Sequence, residues 1–165
     1  MGFLNKLMGM GTTKSDAKKE EIRQIFNAKV ENGESYIVFA GMNMVTKQTI
    51  LKETRTFYNY IVGYKDGDDP EIVIIETTHD LASFNEPIYC KKSECTRASY
   101  DNLFNIWNPH LGDEPVKFMI IASSAWGGYV ISASYVDEFA PFLEFFQKRF
   151  EKRRMPGGVP QAVPP

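Results

Sequence analysis

The sequence has little of what most chemistry needs: two cysteines (Cys90, Cys95), two histidines (His79, His110) and no run that approaches a membrane span. Two cysteines exclude a disulfide-stapled scaffold, and no N-terminal stretch combines an apolar core with a small-residue cleavage site, so a cytoplasmic, thiol-reduced protein is expected. No segment reaches the roughly 20 consecutive apolar residues that cross a bilayer, which leaves only peripheral membrane association. Charge of one sign is also missing. The 19 Lys and Arg nearly balance the 21 Asp and Glu, for a net charge of -2. No general nucleic-acid binding is expected, because a polyanion binder displaces counterions with an excess of cations. Both glycine-rich phosphate cradles, H-E-x-x-H and G-x-S-x-G are absent, so no standard nucleotide, zinc-protease or serine-hydrolase site is expected.

What is present is a chain of 165 residues, 43% hydrophobic, long enough for one core. Its ends read as appendages. Residues 1–13 carry a short apolar stripe (Phe3, Leu4, Leu7, Met8, Met10) broken by Gly9 and Gly11, a flexible or amphipathic segment. The start does not fit a myristoylation signal, because position 6 is Lys6. Residues 155–165 (MPGGVPQAVPP) hold four prolines and two glycines and form a disordered tail. The span 14–154 is left as a single α+β domain.

Within it the hydrophobic period changes from helical to strand-like. Thr13 and Asp16 stand at capping-box spacing before Ile22, Ile25, Phe26 and Val30, and Asn32-Gly33 supplies a stop, which predicts a helix over 14–32. Its opposite face (Lys18, Lys19, Glu20, Arg23) is expected to meet solvent. Strands are predicted over 36–44, 56–64 and 71–78, the last two joined by the turn residues 65–70; 45–54 gives no clear signal. A short strand follows over 87–91, with another after Glu94. Ser99 is placed to cap a helical turn through Leu103, Phe104, Ile106 and Trp107. Two apolar runs, 116–124 and 129–135, read as a final hairpin turning at 125–128. A closing helix over 140–154 then carries Phe142, Leu143, Phe146 and Phe150, with Phe139 just before it.

Ile72 to Ile75 and Phe118 to Ala122 are apolar on both strand faces, so these strands need cover twice. The expected architecture is α+β: an antiparallel, strongly curled sheet or partial barrel of about seven strands. It is closed by the C-terminal amphipathic helix, with the N-terminal helix packed outside. In element order this resembles the pleckstrin-homology-like barrel, a resemblance that carries no residues and says little about function.

Candidate sites are surface features. Tyr58, Tyr60 and Tyr64 share a strand face, with Tyr36, Tyr129 and Tyr135 on neighbouring runs, and tyrosine suits interfaces because it joins apolar area to a polar tip. Trp126 beside Gly127-Gly128 is a candidate anchor at a loop tip. Lys148, Arg149, Lys152, Arg153 and Arg154 form a basic helix end, and Asp66, Asp68, Asp69 and Glu71 an acidic turn, a pair of clusters expected to make the molecule dipolar. Cys90 and Cys95 with a histidine would be the strongest metal set, but the C-x4-C spacing is loose and two ordinary thiols are the better reading. The acidic turn departs from the calcium-loop pattern. No catalytic residue, metal or cofactor is assigned. The expected function is a non-enzymatic binding or scaffold domain acting through contact with a protein partner. A peripheral pleckstrin-homology-like module on an anionic membrane surface, an inhibitor or immunity-type protein, and a cryptic enzyme or metal protein are the alternatives.

Overall fold

The computed structural model of this chain describes residues 14–102, 105–111, 114–121 and 127–150. The architecture is α+β and antiparallel, as expected: among the described residues it has a five-stranded sheet, a smaller second sheet and two α-helices. Helix α1 (Lys14–Lys29) precedes strands β1 (Ile37–Gln48), β2 (Glu53–Lys65), β3 (Glu71–Thr77) and β4 (Ile88–Lys91). These are followed by β5 (Cys95–Asp101), β6 (Ile106–Leu111), the two-residue pieces β7 (Glu114–Pro115) and β8 (Met119–Ile120), and helix α2 (Phe139–Arg149). The large sheet runs β4-β3-β2-β1-β8, so the first four strands meander and β8 returns to the far edge of β1. The small sheet pairs β5 with β6 and sets β7 against β6.

The double cover that the apolar strands require comes from a helix on each face of the large sheet. On one face α1 lays Ile22 and Phe26, both fully buried, against β2. Gly63 makes this possible, since a Cβ there would meet the Phe26 ring at 2.1 Å. Arg23, expected in solvent, ties α1 to the start of β1 by donating to the carbonyls of Tyr36 (2.5 Å) and Glu34 (2.9 Å). On the other face α2 buries Phe142, Phe145 and Phe146. The Phe142 ring packs on Phe39 of β1, Tyr64 of β2, Trp107 of β6 and Phe118, with centroids 4.9–5.9 Å apart. One aromatic side chain therefore joins both sheets to the closing helix.

Several boundaries differ from the sequence reading. Helix α1 stops at Lys29, and Asn32 (φ 55°) takes the left-handed conformation before a short 3₁₀ turn at Gly33–Ser35. The helical turn predicted from Ser99 to Trp107 is a β-hairpin instead. Tyr100 and Trp107 face each other across β5 and β6 and their rings lie 4.9 Å apart, a cross-strand contact that outweighs the weak local capping signal. The run 129–135 is not a strand. It crosses the sheet edge as a 3₁₀ turn (Gly127–Tyr129) and irregular chain, held by the side chain of Asn59. Asn59 accepts from the Ile131 N–H (2.9 Å) and donates to the Tyr129 carbonyl (3.1 Å). Because a side chain satisfies the backbone there, a ladder is unnecessary. The last helix begins one residue earlier than expected, at Phe139, with Pro141 in its first turn, where no N–H is needed.

Candidate functional site

The feature that stands apart from the packed domain is the β1-β2 hairpin. The two strands pair without interruption from Ile37↔Tyr64 to Gln48↔Glu53. Their neighbours stop much earlier: β3 reaches only Asn59, and β8 touches only Gly41 and Met42. From Asn43 and Tyr58 outward the hairpin is a two-stranded ribbon, projecting about 20 Å at the usual rise per residue. Every residue from Val45 to Thr56 is exposed. At the tip Ile50 and Leu51 are fully exposed, at 103% and 96%. The turn contains no Gly, Pro, Asn or Asp; Thr49 holds it, with its N–H donating to the Lys52 carbonyl (2.8 Å) and its hydroxyl accepting from the Lys52 N–H (3.1 Å). The exposed ribbon also carries Lys47, Lys52 and Arg55, and Glu53 accepts from Arg55 at 2.8 Å. The base of the ribbon is braced by Tyr129, whose ring stacks on Phe57 at 5.0 Å.

The sequence-predicted residues fall in different places. Tyr58, Tyr60 and Tyr64 do share one face of β2, but Tyr60 and Tyr64 spend their rings on the core, at 8% and 4% exposure, and Tyr58 is half-buried. Burial pushes the hydroxyls of Tyr60 and Tyr64 up to about 12, with nearby carboxylates adding to it. The Tyr64 hydroxyl has no partner among the described residues and lines a cleft of about 390 Å³ between the β2 end and α2, which Lys65, Glu144 and Lys148 also line. Trp126 and the cations Lys152, Arg153 and Arg154 lie outside the described residues.

Arg149 of the basic helix end pairs with Asp66 of the acidic turn at 2.8 Å, so the described parts of the two clusters touch at this point. The Asp66 carboxyl is held below its ordinary range first by the Gly67 N–H and then by Arg149 and Lys148. Asp69 is lowered likewise by the hydroxyl and N–H of Ser93. Glu71, the fourth member of the acidic turn, is buried and accepts from the Tyr36 hydroxyl. Three of the four acidic groups are thus committed to separate structural partners.

Cys90 of β4 and Cys95 of β5 are close enough for each thiol to shift the other's acidity. The contact from Cys90, helped by the backbone of His110 and Arg97, holds the Cys95 thiol below its ordinary range despite burial, while the Cys90 thiol is raised by the same contact and by burial. Cys95 Sγ also donates to the Arg97 carbonyl at 3.1 Å. His79 lines a separate cleft with Arg55, Tyr58 and Tyr129. Among the described residues no three of His, Cys, Asp and Glu converge as a metal set would.

No protein-family model, curated protein or solved structure matches this chain. No described helix is long and apolar enough to cross a membrane.

Proposed function

We propose that the chain is a non-enzymatic binding module whose contact element is the β1-β2 ribbon, and that the ribbon docks on a protein partner. The observation that carries this reading is the fully exposed Ile50-Leu51 pair at the end of a ribbon that, among the described residues, packs on nothing beyond its base. Exposed aliphatic pairs at the end of an ordered projection gain free energy when a partner covers them. Both edges of the ribbon also present unpaired backbone groups beyond the reach of β3 and β8, which a partner strand can extend. The rest of the domain then acts as the rigid mount.

The two sheets read as one curled layer in this proposal. Phe118 bridges to Trp107 of β6 while the next residues, Met119 and Ile120, pair with β1, and β5 follows β4 after a short turn. With α2 seated between them, the order of elements is similar to a pleckstrin-homology-like barrel, and the projecting ribbon would be the first inter-strand connection of such a barrel.

A second reading is favoured by the cations of the ribbon. Lys47, Lys52 and Arg55 on the same projection as two exposed aliphatic side chains also suit insertion into an anionic membrane surface. One experiment separates the two readings. The chain with a photo-crosslinking residue at Leu51 is expected to form a single stoichiometric protein adduct in its native host, and Ile50→Ser should abolish it with the fold intact. No adduct, together with salt-sensitive sedimentation with phosphatidylserine vesicles that Ile50→Ser removes, would transfer the function to the membrane. If neither the adduct nor vesicle binding is obtained, the ribbon proposal fails.

A further inference from the structure

The outer face of the small sheet carries a second feature, independent of the ribbon. Strand pairing sets Arg97 opposite His110 and Ser99 opposite Asn108, so these four side chains share one face of the β5-β6 hairpin. The register shift between Cys95 and Arg97 is a bulge of the kind that re-aims side chains beside binding sites. With Lys117 they line a cleft of about 450 Å³, within the range of small-molecule sites.

Two polar atoms in this cleft are buried and have no partner among the described residues: Nδ1 of His110, a residue only 9% exposed, and Oδ1 of Asn108. Leaving such groups dry and unpaired costs about 1–3 kcal/mol each, and native proteins keep few of them without a reason. The opposite face of the same hairpin accounts for the strands' packing, since Trp107 and Tyr100 turn inward. The orphaned pair therefore has no role in the core.

Among the described residues the chemistry of the lining is one-sided: Arg97 and Lys117 are exposed cations without an ion pair there, Ser99 adds a hydroxyl, and none of the described lining residues is a carboxylate. Two fixed positive charges match a dianion, and the guanidinium fork of Arg97 suits a tetrahedral oxyanion. Asn108 Oδ1 accepts only, so the ligand must also bring a hydroxyl or amine donor within reach of the anion.

We propose that this cleft binds a small phosphate monoester bearing a neighbouring hydroxyl. Arg97, Lys117 and His110 hold the phosphate, while Asn108 accepts from the hydroxyl. The site is distinct from the ribbon, and its occupancy does not depend on what the ribbon contacts.

The test is a titration of the full-length chain, followed by amide NMR and calorimetry, with ribose 5-phosphate, inorganic phosphate and ribose. Ribose 5-phosphate is expected to bind, moving the amides of Arg97, Ser99, Asn108 and His110, and to weaken as salt rises. Arg97→Gln and Lys117→Gln, both at exposed positions, should each weaken it roughly tenfold while leaving the amide spectrum of the core unchanged. Asn108→Leu should reduce affinity for ribose 5-phosphate and spare that for phosphate. Absence of binding at millimolar concentration would overturn the proposal, as would affinity untouched by both cation substitutions. Equal affinity for inorganic phosphate and the monoester would also overturn it, by removing the part assigned to Asn108.

Discussion

Cys90 lies 3% exposed on β4 while Cys95 opens β5, and the contact between the two thiols divides their acidity unequally. Of the two, Cys95 is the more readily ionised and Cys90 the less. Alkylation follows the thiolate and access to it. Iodoacetamide at pH 7 should therefore label Cys95 and leave Cys90 unmodified, and Cys90→Ala should slow labelling of Cys95 roughly tenfold by removing the neighbour that stabilises its charge. Time-resolved intact mass after labelling checks both statements, and equal labelling of the two cysteines would contradict them. The sequence placed these residues near one another and judged them ordinary thiols. The spacing alone does not reveal that Cys95 receives several donors, because one of them, the N–H of His110, arrives from a strand fifteen residues further along.

Elements whose partners are local in sequence were legible; those whose partners are distant were not. Helix α1, strands β1 to β3 and helix α2 follow from period and composition, since each repeats its pattern over many residues. The segment 129–135 has the composition of a strand but is held by Asn59, a side chain seventy residues away, so no local pattern announces it. Asn59→Ala removes both bonds and leaves the Ile131 N–H and the Tyr129 carbonyl without those partners. It should cost about 1–3 kcal/mol, read as a lower urea midpoint at unchanged slope. The ribbon tip was missed for a related reason. Its turn has none of the residues that mark turns, and an apolar pair such as Ile50-Leu51 reads as buried until the register of β1 and β2 places it at the tip.

Over the whole molecule, buried tyrosines link stability to alkaline pH. Tyr36, Tyr60, Tyr64 and Tyr135 are all raised, chiefly by burial, with Glu71 contributing at Tyr36 and Glu138 at Tyr64 and Tyr135. The folded state keeps these hydroxyls protonated where the unfolded chain ionises near pH 10. Their contribution is therefore complete below about pH 10 and is lost as pH rises from there towards 12, by up to about 1.4 kcal/mol per pH unit for each tyrosine. Urea unfolding between pH 8 and 11 should show a flat region followed by a steep fall, and a stability that holds through pH 11 would show that these rings ionise without unfolding.

The sequence by itself determined the class of the molecule: an α+β chain with antiparallel strands, apolar on both faces, and a phenylalanine helix to close them. These properties follow from composition and period, which act over short range and are written in consecutive residues. Only the tertiary structure decided which surfaces are left for function. It consumed Tyr60, Tyr64 and Arg149 in the core and in an ion pair, and it exposed Ile50 and Leu51 beyond the reach of neighbouring strands. It also gathered Arg97, His110 and Lys117 around one cleft. Register, strand order and strand length set those outcomes, and each depends on pairings between residues far apart in the chain.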